Sequence, residues 1–152
     1  MRSRLILVTM VLAVNLVTGC GDALAPELPL TVDFQAPATI RHGEAVSATA
    51  TLTNTSAQTV TLEAACGPWH SEVLRADGTV LFRSWEQPQF GCMHPISLAP
   101  FASLTHTDSF TLKDASGSPA APGTYTIAVG LRDGTGTKAL VVSNEVTVVV
   151  TD

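Results

Sequence analysis

Val46-Ser47-Ala48-Thr49-Ala50-Thr51-Leu52-Thr53 decides the fold. Apolar side chains at 46, 48, 50 and 52 alternate with hydroxyls at 47, 49, 51 and 53. A period of two sends one set to each face of a pleated strand, whereas a helix would scatter the same residues around its circumference. Asn54-Thr55-Ser56 then ends the run, because short polar side chains bond nearby backbone and favour turns.

The same alternation recurs on both sides of this stretch. Leu30, Val32 and Phe34 alternate with Thr31 and Asp33, and Val60, Leu62 and Ala64 with Thr59, Thr61 and Glu63. Val73-Leu74-Arg75 and Val80-Leu81-Phe82 flank Asp77-Gly78, which predicts a hairpin with positive φ in its turn. Leu104 to Leu112 reads as a strand, although His106 and Asp108 share the parity of Phe110 and Leu112. Tyr125, Ile127, Val129 and Leu131 form another run after Pro122-Gly123. Ala139 to Val142 and Val146 to Val150 complete the set, separated by Ser143-Asn144. About seven to eight short strands, with turn signals every ~8–12 residues, predict an all-β antiparallel sandwich with one wet and one buried face per sheet. Aromatics are sparse, so the core is expected to rest on Val, Leu and Ile. Tyr125, the single tyrosine, is placed to make a tyrosine corner, its hydroxyl bonded to upstream backbone.

The amino terminus is different in kind. Arg2 and Arg4 precede an apolar run from Leu5 to Val17, broken only by Thr9 and Asn15. That run is short for a membrane span of about 20 residues and has the form of a secretory signal helix. It ends in Val17-Thr18-Gly19-Cys20, which resembles the bacterial lipoprotein signal. The resemblance implies cleavage after residue 19 and lipid on Cys20, with the domain exported to the cell envelope and the membrane as a partner. Residues 20–29 then read as a lipid-anchored tether and 30–152 as the sandwich.

Residues 1–19 hold two of the eight basic residues and none of the thirteen acidic ones, so the remainder carries 6 − 13 = −7. That charge argues against nucleic acid and against a polybasic grip on anionic lipid. With Cys20 assigned to lipid, Cys66 and Cys92 remain as an even pair in an oxidising compartment, where a disulfide is expected.

Leu52-Thr53-Asn54-Thr55-Ser56 with Val60-Thr61-Leu62, Val73 to Gly78 leading to Val80-Leu81-Phe82-Arg83, Leu98-Ala99-Pro100, and Pro122-Gly123-Thr124-Tyr125-Thr126 follow one another in order. This layout, from Ala50 to Leu131, resembles the BsuPI-type proteinase inhibitor domain. The resemblance implies an immunoglobulin-like sandwich and, as a possible partner, a protease.

Other chemistries compete for the same residues. Cys66, His70, Cys92 and His94 could in principle enclose zinc, and Met93 brings copper into consideration. The cysteine spacing, 92 − 66 = 26, is far from the usual two to four, and no metal or other cofactor is expected. No Ser-His-Asp or Cys-His grouping is recognisable, so no catalytic residue is assigned; the histidines are expected in loops or on solvated faces. A disulfide closing residues 67–91 would hold Trp85, Phe90 and Met93 near one another, either as a plug for the sandwich end or as a recognition surface. The expected function is that of an envelope-anchored, non-catalytic binding or structural module. Proteinase inhibition and metal handling are the alternatives.

Overall fold

The computed structural model describes residues 28–86, 93–114, 116–133 and 139–152, with backbone alone at 65–68, 85, 93 and 94. The expected signal segment, Cys20 and most of the expected tether lie outside the described residues. The strands are β1 Leu30–Gln35, β2 Thr39–Arg41, β3 Ala45–Asn54, β4 Val60–Arg75, β5 Val80–Arg83, β6 Met93–Leu98, β7 Ser103–Thr111, β8 Gly123–Asp133, β9 Ala139–Val142 and β10 Val146–Thr151. They form an immunoglobulin-like β-sandwich. One sheet has the order β1-β3-β7; the other runs β2-β10-β8-β4-β5, with β6 added on β4 and β9 on β8.

Ten strands stand among the described residues where seven to eight were expected, and one pair, β10 with β2, is parallel. Thr39-Ile40-Arg41 is too short to display a period, yet Ile40 is buried. Pro95 masks β6 in the sequence; it is tolerated because β6 attaches beside the main path of its sheet, where a missing N–H costs little. The two strand segments expected at Val60–Ala64 and Val73–Arg75 are a single strand, β4. At the β4–β5 hairpin, Gly78 alone takes positive φ (80°), while Gly78 N–H donates to Arg75 C=O and Arg75 N–H to Thr79 C=O. Asp77 was expected to share that conformation and does not.

The alternation that defined β3 behaves as read. Val46, Ala48, Ala50 and Leu52 are buried, and the opposite face carries a hydroxyl ladder, Thr49 to Thr107, Thr51 to Thr105 and Thr53 to Ser103. Leu52, Val73, Ile127, Leu131 and Val148 are fully enclosed, so aliphatic burial forms the centre of the core. Tyr125 is buried and its hydroxyl donates to Ala121 C=O at 2.7 Å, the expected corner. Asn54, read only as a strand terminator, is also a fully buried knot. Its Nδ2 donates to the carbonyls of Gln58, Leu98 and Ala99, and its Oδ1 accepts from Ser56 N–H and Oγ–H.

One irregularity in β4 positions the site. Ala64 pairs with Asp133 and Trp69 with Leu131, so five steps along β4 match two along β8. The odd step reverses the parity of β4. Leu62 and Ala64 face the core before it; Val73 does so after it, with Trp69 and Ser71 on the same side.

Candidate functional site

The sandwich is closed on one side and open on the other. On the closed side β1 lies beside β9, and Asn144 spans the two sheets. Its Oδ1 accepts Phe34 N–H at 2.8 Å and its Nδ2 donates to Phe34 C=O at 3.0 Å, as a neighbouring strand would. On the open side, a cleft of about 410 Å³ separates β7 from β4 and β5. That volume lies within the range of small ligand sites, about 300–1,000 Å³.

Of the eight aromatic residues in the chain, Phe34, Trp69, Phe82 and Phe110 line this one cleft, which concentrates the scarce ring surface there. The parity anomaly of β7 is its cause. Leu104, His106, Asp108 and Phe110 point toward the second sheet, opposite the buried β3 residues they pair with, yet His106 and Asp108 remain exposed. Polar groups at positions that would otherwise close the core leave it open. Trp69 from β4 and His106 from β7 meet across the gap, ring centroids 5.6 Å apart and planes 7° from parallel. This stack links the two sheets at the open side.

The edge beside the cleft is also unfilled. Asn54 N–H donates to Ala102 C=O at 3.0 Å, which sets the phase of the β3–β7 ladder. Even-numbered residues of β7 therefore bond β3, and odd-numbered ones turn their peptide groups outward. Asp108 Oδ1 accepts the outward N–H of Ser109 at 2.7 Å. The outward peptide groups of Thr105 and Thr107 have no partner among the described residues.

His70 contradicts the expectation that the histidines lie in loops or on solvated faces. It sits within β4, 3% exposed, on the face of the sheet opposite Trp69 and Ser71, with Ser84 against its ring. Ser71 N–H donates to Ser84 Oγ at 2.9 Å, and the same hydroxyl is 3.2 Å from His70 Nδ1. Nε2 is buried without a partner among the described residues. Burial, assisted by the positive charge of Arg132, pushes the His70 pKa below its ordinary value and keeps the ring neutral at pH 7. The Ser84–His70 contact superficially matches a nucleophile and base. A general base also needs an orienting partner on its second nitrogen, and none is present there among the described residues. Nor do three His, Cys, Asp or Glu side chains among the described residues gather around a metal-sized point.

The structure places the residues singled out in the sequence as follows. Cys66 lies on β4, Trp85 in a 3-10 turn over Ser84–Glu86, and Met93 at the start of β6, but their side chains are outside the described set. Phe90 and Cys92 are wholly outside it. The cleft residues Trp69, His106 and Phe110 were not identified from sequence as a site, although the polar parity of 106 and 108 was its visible signal.

No protein-family model and no curated protein matches the chain. Among solved structures, it is similar to a β-glucosidase from Listeria innocua in complex with isofagomine, at 11% identity and TM-score 0.48, over 80% of this chain and 16% of that one. A CARDB domain of PF1109 from Pyrococcus furiosus aligns at 16% identity and TM-score 0.47, over 81% of this chain and 94% of that one. The alkylpurine DNA glycosylase AlkC of Pseudomonas fluorescens aligns at 15% and 0.49, over 82% of this chain and 31% of that one. These likenesses concern the fold alone.

Proposed function

We propose that this protein is a non-catalytic binding module of the cell envelope, held at a membrane by lipid on Cys20, that takes hold of an extended segment of a partner protein at the open side of its sandwich. The observation that carries the reading is the conjunction of a free β7 edge, at Thr105 and Thr107, with an aromatic cleft directly beside it. Added strands gain affinity from main-chain hydrogen bonds and specificity from pockets for alternate side chains. Both halves of that mode lie together here. Asn144 gives the chemical precedent within the molecule, since a single amide satisfies an outward peptide group of β1.

Thr107→Pro tests this directly. It removes one outward N–H and leaves the backbone hydrogen bonds to β3 in place, losing there only the exposed hydroxyl contact with Thr49, and proline is tolerated on edge strands. Partners recovered by the folded full chain from solubilised envelope should be lost from the variant, with the melting temperature little changed. Undiminished recovery by Thr107→Pro removes the edge as the binding site. For the anchor, Cys20→Ala should abolish lipid labelling and leave the precursor uncleaved; normal processing and membrane association of the variant would refute it.

The same reading pairs Cys66 with Cys92. The described β4–β6 ladder ends at Ala65 opposite Met93, one residue short of each cysteine. That approach of the two flanking residues supports a bond between their neighbours.

A further inference from the structure

We infer that the turn 99–102 is a membrane contact, with Phe101 the residue that enters the lipid surface. Phe101 is 68% exposed, more than any other large apolar side chain in the described core or surface. It is also the only non-glycine residue among those described with positive φ, 56°. An L side chain in that region is strained, and strain of this kind persists at positions kept for function. The turn holds the ring outward: Phe101 N–H donates to Ser56 C=O at 3.3 Å and Ala102 N–H to Ala99 C=O at 3.1 Å.

The position of this turn in the fold identifies its occupant. Thr55 N–H donates to Pro29 C=O at 2.9 Å, so the start of the domain and the Phe101 turn share one pole through adjoining residues 55 and 56. Leu28 lies only eight residues beyond Cys20. Even fully extended they reach about 30 Å, so a lipid on Cys20 keeps this pole close to the bilayer.

Charge divides the poles in the same sense. The turns 55–59 and 99–102 contain no charged residue. The opposite pole carries Arg41, Glu44, Arg75, Asp77, Lys113 and Asp114 in its turns. Among the described residues, the charges that follow on the Phe101 side, Asp33, Glu63 and Asp133, lie back along β1, β4 and β8. For residues 20–152, which carry net −7, a pole with uncharged turns at 55–59 and 99–102 is the one that approaches an anionic surface with least repulsion. An aromatic ring on such a pole partitions into the headgroup boundary. The consequence for the domain is orientation: with this pole down, the β7 edge and its cleft stand upright beside the bilayer rather than against it.

This inference rests on the lipid anchor proposed above, and the experiment separates the two. The lipidated full chain, carrying a photoreactive benzoylphenylalanine at position 101, is reconstituted in phosphatidylcholine–phosphatidylglycerol vesicles and irradiated. A second sample carries the probe at Val80, which is exposed at the opposite pole. The expected result is a phospholipid adduct at 101 at least tenfold above that at 80. If the chain floats with the vesicles and carries lipid mass on Cys20, but the two positions give equal adducts, the contact is overturned and the anchor stands. A chain without lipid mass that remains outside the vesicle layer overturns both. Because both probe sites are exposed, neither substitution disturbs the core, and unchanged far-ultraviolet circular dichroism checks this.

Discussion

The side chain of Asn144 acts as a strand for Phe34. One amide accepts the Phe34 N–H and donates to its C=O, 110 residues away in sequence, and so clamps β1 to the segment between β9 and β10. Phe34 is itself buried and lines the cleft, so the clamp fixes the cleft's rear wall as well as the closed side. Asn144→Ala leaves two partly buried peptide groups unpaired, each costing about 1–3 kcal/mol if water does not reach it. Urea unfolding should show a loss of about 2 kcal/mol or more. A loss below about 0.5 kcal/mol would mean that water replaces the amide.

How much of this was legible in the sequence depended on the range of the interactions. Alternation at Val46–Thr53 gave both faces of β3, because a strand's period is local. Tyr125 was legible for the same reason: its partner, Ala121, is four residues away. The continuity of β4 was not. Ala65-Cys66-Gly67-Pro68 reads as a break, and only pairing with β8 shows that the chain passes through it with its parity reversed. The cleft combines residues from β1, β3, β4, β5, β7 and β8, a set determined by sheet pairing rather than by any local pattern. His106 and Asp108 marked it, but polar residues at inward positions have several explanations until the opposite sheet is in view.

His70 makes stability depend on pH. Its pKa lies below the ordinary imidazole value because burial, and then Arg132, disfavour the charged ring. In the unfolded chain the imidazole titrates near 6.5. Between the two pKa values the unfolded state binds more protons, so this contribution is present above about pH 6.5 and is lost as pH falls toward the lowered value. The urea midpoint should therefore be lower at pH 5 than at pH 7.5, and His70→Gln should reduce that difference. An identical pH dependence in the variant would locate its origin elsewhere.

The proposed Cys66–Cys92 bond gives a separate result. Closing a loop of this length is worth about 3–4 kcal/mol in the chain-entropy model. Thiol titration of the exported, denatured protein should find neither residue free, and Cys66→Ser with Cys92→Ser together should lower unfolding free energy by roughly that amount. Two free thiols on the exported protein would exclude the bond and restore the metal alternative.

Phe101→Gly should separate stability from membrane contact. Glycine adopts positive φ without the Cβ conflict, and left-handed backbone costs an ordinary residue about 1–2 kcal/mol. Against this, glycine loses more chain entropy on folding, about 0.5–1 kcal/mol. The exposed ring offers little compensating burial, so the variant should be more stable by about 0.5–1 kcal/mol in urea unfolding. If Phe101 were merely tolerated in its turn, that gain would be its only effect. If it contacts lipid, the lipidated variant should also release the domain from a fixed orientation, seen as greater rotational freedom of a spin label placed on the exposed β7 face at Thr107. A stabilised variant with unchanged label mobility would leave the strain at 101 as a purely local feature of the turn.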